Sequence, residues 1–446
     1  MRWTASQAPC AETPEPLAPP QWCVGIDWGA QRHHVCVLTA ARQRLGERTV
    51  EHTGDSLNQL ATWLTAVAAD HPEHVAVAIE VPRGAVVATL VERGLQVFAL
   101  NPTQLDRLRD RHTVAGAQDD RRDAFVLAAA LRTDPHSFRR VHLDAPQVLL
   151  LRELSRAAEA LRAELRRATN RLREQRQRLY PQWRHLCPAA DTAWLWALLE
   201  LAPTPAHTTQ LTEAHVRRVL KTHRIRRLSA AEVRAIVQAP AVTVAPGAAA
   251  AAQAHCALLF PCLRGLAAQV QACAHQVETV LAACTTADTA ALSDVAIVQA
   301  LPGVGRNITA WLFAEAAQPF ARRDYHVLRT HGGVAPITKQ SGKRLQVVMR
   351  RGCNPRLRYA LFHLAHHAVQ VDARLQKVYA TLKAKGQSRG RALRGIADRL
   401  LRVLIAMLRD RTLYETTHVP SGAPGAHGET PGGQATALAA TGVDKP

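Results

Sequence analysis

Between Trp22 and Leu100 short apolar runs follow one another in an order that few folds accommodate. "WCVGIDWG", "HHVCVLTA" and "RLGERTV" come in close succession, as three strands joined by short turns would. "DSLNQLATWLTAVAAD" then repeats its apolar residues at helical spacing. "HVAVAIE", "AVVATLVERG" and "LQVFAL" continue as strand, helix and strand, and helical sequence runs from Pro102 to Leu131.

Three strands followed by alternating helix and strand is the α/β order of a ribonuclease-H-like domain, expected over 22–146 with Pro146 closing it. Two of its apolar strands end on acids: Asp27 in "VGIDWG" and Glu80 in "VAVAIEVPRG". A carboxylate at the end of a buried strand is costly unless it is paired or binds a cation. In such a sheet the first and fourth strands are parallel neighbours, so these two acids meet at one edge. "AGAQDDRRDAFVLAAAL" adds Asp119, Asp120 and Asp123 within five positions. Asp120 and Asp123, three apart on a helix, share a face. If that helix packs across the sheet edge, four oxygen donors converge, the ligand type that Mg²⁺ requires. Two such ions can activate a nucleophile and stabilise a leaving oxygen in phosphoryl transfer. The plainer reading of "DDRRD" is a solvated helix whose acids pair with Arg121 and Arg122. Asp27 and Glu80, acids on two separate strand ends, tip the balance toward a metal site.

The formal net charge of +20 is unevenly placed. Residues 1–146 carry 15 basic and 17 acidic side chains, whereas 301–415 carry 22 and 6, so the polyanion grip belongs to the back of the chain. Nucleic acid is the default partner for such a patch. Only seven of the cations along the whole chain are lysines, and arginine favours bidentate phosphate contacts. Nine cysteines without CxxC or zinc spacing read as reduced thiols of a cytosolic protein. No apolar run is expected to reach the roughly 20 residues of a membrane span, and the Pro-rich N-terminus lacks a signal core, so neither membrane insertion nor secretion is expected.

Positions 151, 154, 158, 161, 165, 168, 172, 175 and 179 read Leu, Leu, Ala, Leu, Leu, Ala, Leu, Gln and Leu. Steps of three and four make a heptad seam, which Pro181 stops. A coiled coil over 147–182 that joins subunits is expected; the alternative is a long helix packed within its own chain. Gln175 is the kind of polar seam residue that fixes register. Residues 183–295 read as a helical linker region. Residues 1–21 and 416–446 read as a disordered leader and tail.

"LPGVG" (301–305) opens the last unit, 296–415, expected to be mainly helical. It resembles the hairpin of helix–hairpin–helix modules, in which Gly303 and Gly305 would let backbone amides and Arg306 approach phosphate. A plain turn is the alternative. Further on, Gly332, Gly333, Pro336 and Gly342 are expected to break regular structure around Ser341, with Lys339, Lys343 and Arg344 about its hydroxyl. A serine among cations suits attack on a phosphodiester; the blander reading is a serine that only contacts the backbone of a nucleic acid. Arg350, Arg351 and Arg358 extend the cationic surface. His363, His366 and His367 read as helix-face residues, since no acid pattern partners them.

In this order the segments resemble the DEDD-type insertion-sequence transposases of the IS110 group, related to Piv-type DNA invertases. "GIDWG…HHVCV", "IEVPRG" and "DDRRDA" carry the first half of the resemblance. "LPGVGRNITAWLFAEA", "GGVAPITKQSGKR" and "GCNPRLRYALFHLAHHA" carry the second. The resemblance implies a RuvC-like N-terminal domain holding Mg²⁺ on Asp27, Glu80, Asp120 and Asp123. It implies a C-terminal transposase domain with Ser341 as nucleophile, and active sites joined across the subunits of a dimer or tetramer. It further implies a structured noncoding bridge RNA that pairs with donor and target DNA, and a covalent serine–DNA intermediate. The expected activity is excision and insertion of the chain's own element, in the bacterial cytoplasm at the nucleoid. One departure bears on the site: Gln118 and Asp119 stand where the family usually has Lys and Thr, so Asp119 competes with Asp120 as ligand. The alternatives are a RuvC-like junction nuclease using the acids alone, and an inactive nucleic-acid-binding relic.

Overall fold

The computed structural model describes residues 20–112, 119–286, 292–342 and 344–415. The expected disordered leader, apart from residues 20 and 21, the whole expected tail 416–446 and Lys343 lie outside the described residues. Six strands form the N-terminal sheet: β1 (Trp22–Trp28), β2 (Arg32–Thr39), β3 (Arg44–Glu51), β4 (Val75–Ile79), β5 (Gln96–Ala99) and β6 (Arg139–Arg140). Their order across the sheet is β3-β2-β1-β4-β5-β6. The first three strands pair antiparallel, β1–β4 and β4–β5 pair parallel, and β6 closes the edge antiparallel to β5. Helices α1 (Gly54–Val67), α2 (Ala85–Glu92), α3 (Pro102–His112) and α4 (Asp120–Thr133) accompany it.

Strand parity decides what each face can hold. Val24, Ile26, Val35, Val37, Val75, Val77 and Ile79 form one face and pack with α1 and α2. The opposite face is built from small residues, including Gly25, Cys36, Ala76 and Ala78, and α4 lies on it. The approach is close at Gly25: a Cβ there would sit 1.9 Å from the Ala124 carbonyl oxygen and 2.6 Å from the Ala128 nitrogen. Asp27 shares the parity of Gly25, and Glu80, which follows β4, shares that of Ala76 and Ala78. Both acids therefore belong to the face that α4 covers.

The rest of the chain, among the described residues, is almost all helix. It comprises α5 (Pro146–Leu179), α6 (Trp183–Leu186), α7 (Ala193–Leu201), α8 (Pro205–Thr208), α9 (Glu213–Thr222), α10 (Ala230–Val237) and α11 (Pro246–Thr286). It ends with α12 (Asp294–Gln299), α13 (Arg306–Ala321), α14 (Tyr325–His331), the hairpin β7 (Ile337–Ser341) and β8 (Arg344–Val348), then α15 (Pro355–Val371), α16 (Ala373–Ala384) and α17 (Arg389–Asp410). The long helices α5 and α11 pack along one another and contribute to both helical cores. Leu151 and Leu154 join the C-terminal core, while Leu165, Ala168 and Leu172 join the middle one. Over these positions the heptad seam is used inside the chain, which is the long-helix alternative. The start of α5 is tied to α13: Arg152 Nε donates to the Ala314 carbonyl at 2.8 Å, and Arg156 pairs with Glu315 at 3.1 Å.

Three expectations need correction. Ser341 does not sit in broken structure; it ends β7 of a regular hairpin, in register with Arg344, with Gly342 at φ 56° in the turn. The alternating pattern is hidden because neither face of this hairpin is buried. Gly303 does adopt a left-handed φ of 74°, but its lack of a side chain serves packing: a Cβ would lie 2.7 Å from the backbone of His367 on α15. Finally, Gly247–Thr285 is long and apolar enough, by length and composition, to cross a membrane, against the expectation that no run reaches that length. In the fold one face of that helix supplies Cys256, Leu259, Phe260 and Leu263 to the middle core.

Candidate active site

The register places the first two acids. Ile26 of β1 pairs with Ile79 of β4, so Asp27 and Glu80 are the next residues along two parallel strands. Asp123 enters from the first turn of α4, where Ala124 rests against Gly25. The Asp27 carboxyl is pushed up to about 6, first by burial and then by the negative charge of Asp123, Asp120 and Glu80. Four acids from three elements thus share one electrostatic neighbourhood, at the open end of β1 and β4. All are oxygen donors, the class Mg²⁺ takes.

Asp119 and Asp120 are told apart by where they point. Asp119 caps α4, its carboxylate accepting from the Arg121 amide at 3.3 Å. Asp120 is among the charges that raise the Asp27 carboxyl. Asp120 is largely exposed and lies 3.6 Å from His34 Nε2, while His34 Nδ1 shares a 3.3 Å hydrogen bond with Thr49. Arg121 forms its ion pair with Glu47 on β3, with Asp119 still near enough to act on its charge. The solvated-pair reading of "DDRRD" therefore fails for this arginine.

Arg109 is the residue that sequence reasoning missed. It leaves α3 and grips Asp123 through both nitrogens of its fork, Nε to Oδ1 and Nη2 to Oδ2, each at 2.7 Å. Nη1 donates to the more exposed Asp106 at 2.6 Å. Asp123 spends both oxygens on this pair. As the side chains stand, no three His, Cys, Asp or Glu among the described residues are grouped to hold an ion. The donor chemistry fits a divalent cation, and Arg109 is the cation it meets. Arg109→Gln is therefore expected to tighten Mg²⁺ or Mn²⁺ binding about tenfold, since a partly buried ion pair no longer competes. Calorimetric titration measures this directly; equal or weaker binding would show that the pair and the ion do not compete.

The other predicted residues lie apart. Ser341, Lys339 and Arg344 are exposed on the hairpin, and its register puts all three on one face. Arg358 is fastened to the carbonyls of Arg350 and Arg351 at 2.8 and 3.1 Å, which organises the turn before α15. Arg306 pairs with Glu278 of α11, and Gly305 caps α13. His363 and His367 stack on each other along α15, and His363 meets Tyr359 edge-on.

A mixed sheet in this order, with acids from β1, the end of β4 and the first turn of α4 at one edge, is consistent with a ribonuclease-H-like DEDD domain. Residues 24–181 match the family model of a DEDD transposase of the IS110 type, and 295–380 match that of the transposase IS116/IS110/IS902 family. The chain is 47% identical to a Sinorhizobium fredii protein named as a putative transposase, y4uE, over 46% of this chain and 58% of that relative. It thus spans little more than half the length of that relative. Against the mini-circle putative transposase for IS117 from Streptomyces coelicolor it is 28% identical, over 88% of this chain and 94% of that one. The 43.6 kDa protein of insertion element IS110, also from Streptomyces coelicolor, is 28% identical over 90% and 96%. In two separate segments the chain is thus similar to transposases of the IS110/IS116/IS902 family.

Proposed function

We propose that the chain is a transposase that cuts and rejoins DNA to move its own insertion element. The observation that carries this reading is the neighbourhood of Asp27, where burial, then Asp123 and Asp120 of α4 and Glu80 at the end of β4, raise its carboxyl to about 6. Asp27, Glu80, Asp120 and Asp123 would hold Mg²⁺, which would stabilise charge on the scissile phosphate when bound. The basic unit 301–415 would hold the DNA backbone by phosphate contacts. Lys339 and Arg344, on the same hairpin face as Ser341, would orient the phosphate and favour the serine alkoxide. Ser341 Oγ would then bond to phosphorus as a deoxyribose oxygen leaves with a proton, and rejoining would reverse the step. A structured guide RNA, recognised by shape and backbone while base pairing reads sequence, completes the proposal. So does a homo-oligomer that brings Ser341 of one subunit to the acids of another, at work on the nucleoid.

A second reading rests on a specific observation. Asp123, Asp120 and Glu80 all act on the charge of Asp27, whereas Ser341 stands on the exposed hairpin of β7 and β8. A hydrolytic RuvC-like nuclease would need the acids alone. Covalent capture separates the two. Protein, the RNA transcribed beside the gene, labelled element-junction DNA and Mg²⁺ are mixed, and DNA retained on denatured protein is measured. The serine reading expects retention that Ser341→Ala and Asp120→Ala each abolish. Cleavage without retention, unchanged in Ser341→Ala, would leave a metal nuclease.

A further inference from the structure

Outside the acidic edge, Arg176 is a charged side chain buried among the described residues. It lies near the end of α5, 6% exposed, in the middle helical core. Its Nη1 donates to the Pro203 carbonyl at 3.0 Å. Its Nε and Nη2 are buried and meet no oxygen acceptor, the Cys256 thiol being the group within reach, and the indole Nε1 of Trp183 nearby has no partner. Burial pushes the guanidinium below its ordinary value, and the neighbour that offsets this is the Cys256 side chain, not a carboxylate. Burial in turn raises the Cys256 thiol, which keeps it neutral and removes it as a counter-ion. A guanidinium taken out of water without an anion costs several kcal/mol. Among the described residues no carboxylate compensates it.

A cavity of about 90 Å³ lies beside this group. It is framed by the end of α5, by α6 and by α7, and Arg173, Arg176 and Arg184 line it with no acid among the lining residues. Apart from Gln177, its walls are otherwise mainly apolar, from Tyr180, Trp183 and Leu195. Tyr180 and Trp183 stand edge to face at 5.7 Å, and the Tyr180 hydroxyl is committed to the Val237 carbonyl, so this wall is firmly set. Arg173 and Arg184 are exposed at the surface, and Arg184 has no ion pair among the described residues. The volume suits a group of several non-hydrogen atoms and excludes a duplex.

We propose that part of one unpaired nucleotide of a nucleic-acid strand enters this cavity, the edge of its base against the apolar wall and its phosphate toward the three arginines. A free inorganic anion would satisfy the cations and leave the apolar wall wet. An apolar ligand would do the reverse. A nucleotide carries both characters, and its phosphate supplies the charge that Arg176 lacks. The inference rests on the nucleic-acid reading above, and it gives the helical region 183–295 a contact of its own.

The test uses the full chain and short labelled oligonucleotides: single-stranded DNA, single-stranded RNA and the matching DNA duplex, each titrated by anisotropy. Two variants are compared with wild type. Arg176→Met removes the buried charge at similar volume and is expected to fold with equal or higher stability. Arg184→Ala alters only an exposed residue at the mouth. Each is expected to lose about tenfold in affinity for one or both single strands while duplex binding is kept. The arm that responds identifies DNA or RNA as the source of the nucleotide. A photoreactive base in the responding strand should crosslink within residues 173–199. Unchanged single-strand affinity in both variants would overturn the proposal, as would a crosslink confined to other segments. The transposase reading is judged separately, by whether wild type cuts junction DNA; wild type that cuts with variants that bind normally would sink the cavity alone.

Discussion

Asp27→Asn is expected to abolish DNA cleavage while making the metal-free protein more stable at neutral pH. Cleavage should fall by about 10²–10³-fold or more, the scale of losing a group that positions charge on the transition state. The stability gain follows from the Asp27 carboxyl, raised from 3.8 to about 6 by burial and by Asp123, Asp120 and Glu80. A carboxyl raised by folding contributes stability that is fully present below its unfolded value. That contribution is lost as pH rises through about 6, where the native state must ionise against its neighbours. Wild type therefore surrenders, between about pH 4 and 7, what the neutral amide never risks. Asp27 is partly solvated, so screening reduces the gain to about 1 kcal/mol. Thermal unfolding of both proteins with chelator, at pH 7.5 and again near pH 4, reads it directly. The variant should melt higher at the first pH and level with wild type at the second. Equal melting at pH 7.5 would mean that the four acids do not strain one another. Added Mg²⁺ should raise the melting point of wild type more than that of the variant, because the ion binds the folded state and a carboxamide is a poorer ligand than a carboxylate.

Much of this site is legible in the sequence. Strand-end acids, the parity of Gly25 with Asp27, and the strand order limit which carboxylates can meet. Two residues at the sites escape for a common reason: their partners are set by tertiary packing. Arg109 reaches Asp123 only because α3 folds back beside α4, across 14 positions of sequence. A run of acids gives no hint that one of them is held by an arginine. Arg176 follows Gln175 on the seam, and the heptad pattern makes it a flank. It is buried because α6 to α11 close over that end of α5, and the composition of 183–295 says only that helices are present. The hairpin that carries Ser341 escapes differently. Alternation betrays a strand when one face is buried, and Leu345 and Val347 are both more than half exposed here.

Gly25→Ala is the second large effect expected, and it tests how the sheet positions the acids. The added Cβ would fall 1.9 Å from the Ala124 carbonyl oxygen, and real contacts stop near 3.0 Å, so α4 or β1 must give way by about 1 Å. The obstacle is backbone on both counts, the oxygen of Ala124 and the nitrogen of Ala128. No truncation at 124 or 128 relieves it, and Ala124→Gly in the same chain should rescue nothing. Overpacking of this kind costs about 1–3 kcal/mol, and the upper end is expected where only backbone can move. The functional cost should be larger than the thermodynamic one. Asp120 and Asp123 ride on the first turn of α4, about one turn or less from the clash, and displacement of about 1 Å near reacting groups lowers rates by about 10²-fold. Gly54→Ala is the control, because a Cβ there meets nothing within 4 Å. If Gly25→Ala melted with wild type and cut DNA normally, α4 would not be seated on β1 as described, and the convergence of Asp27 with Asp123 would lose its structural cause.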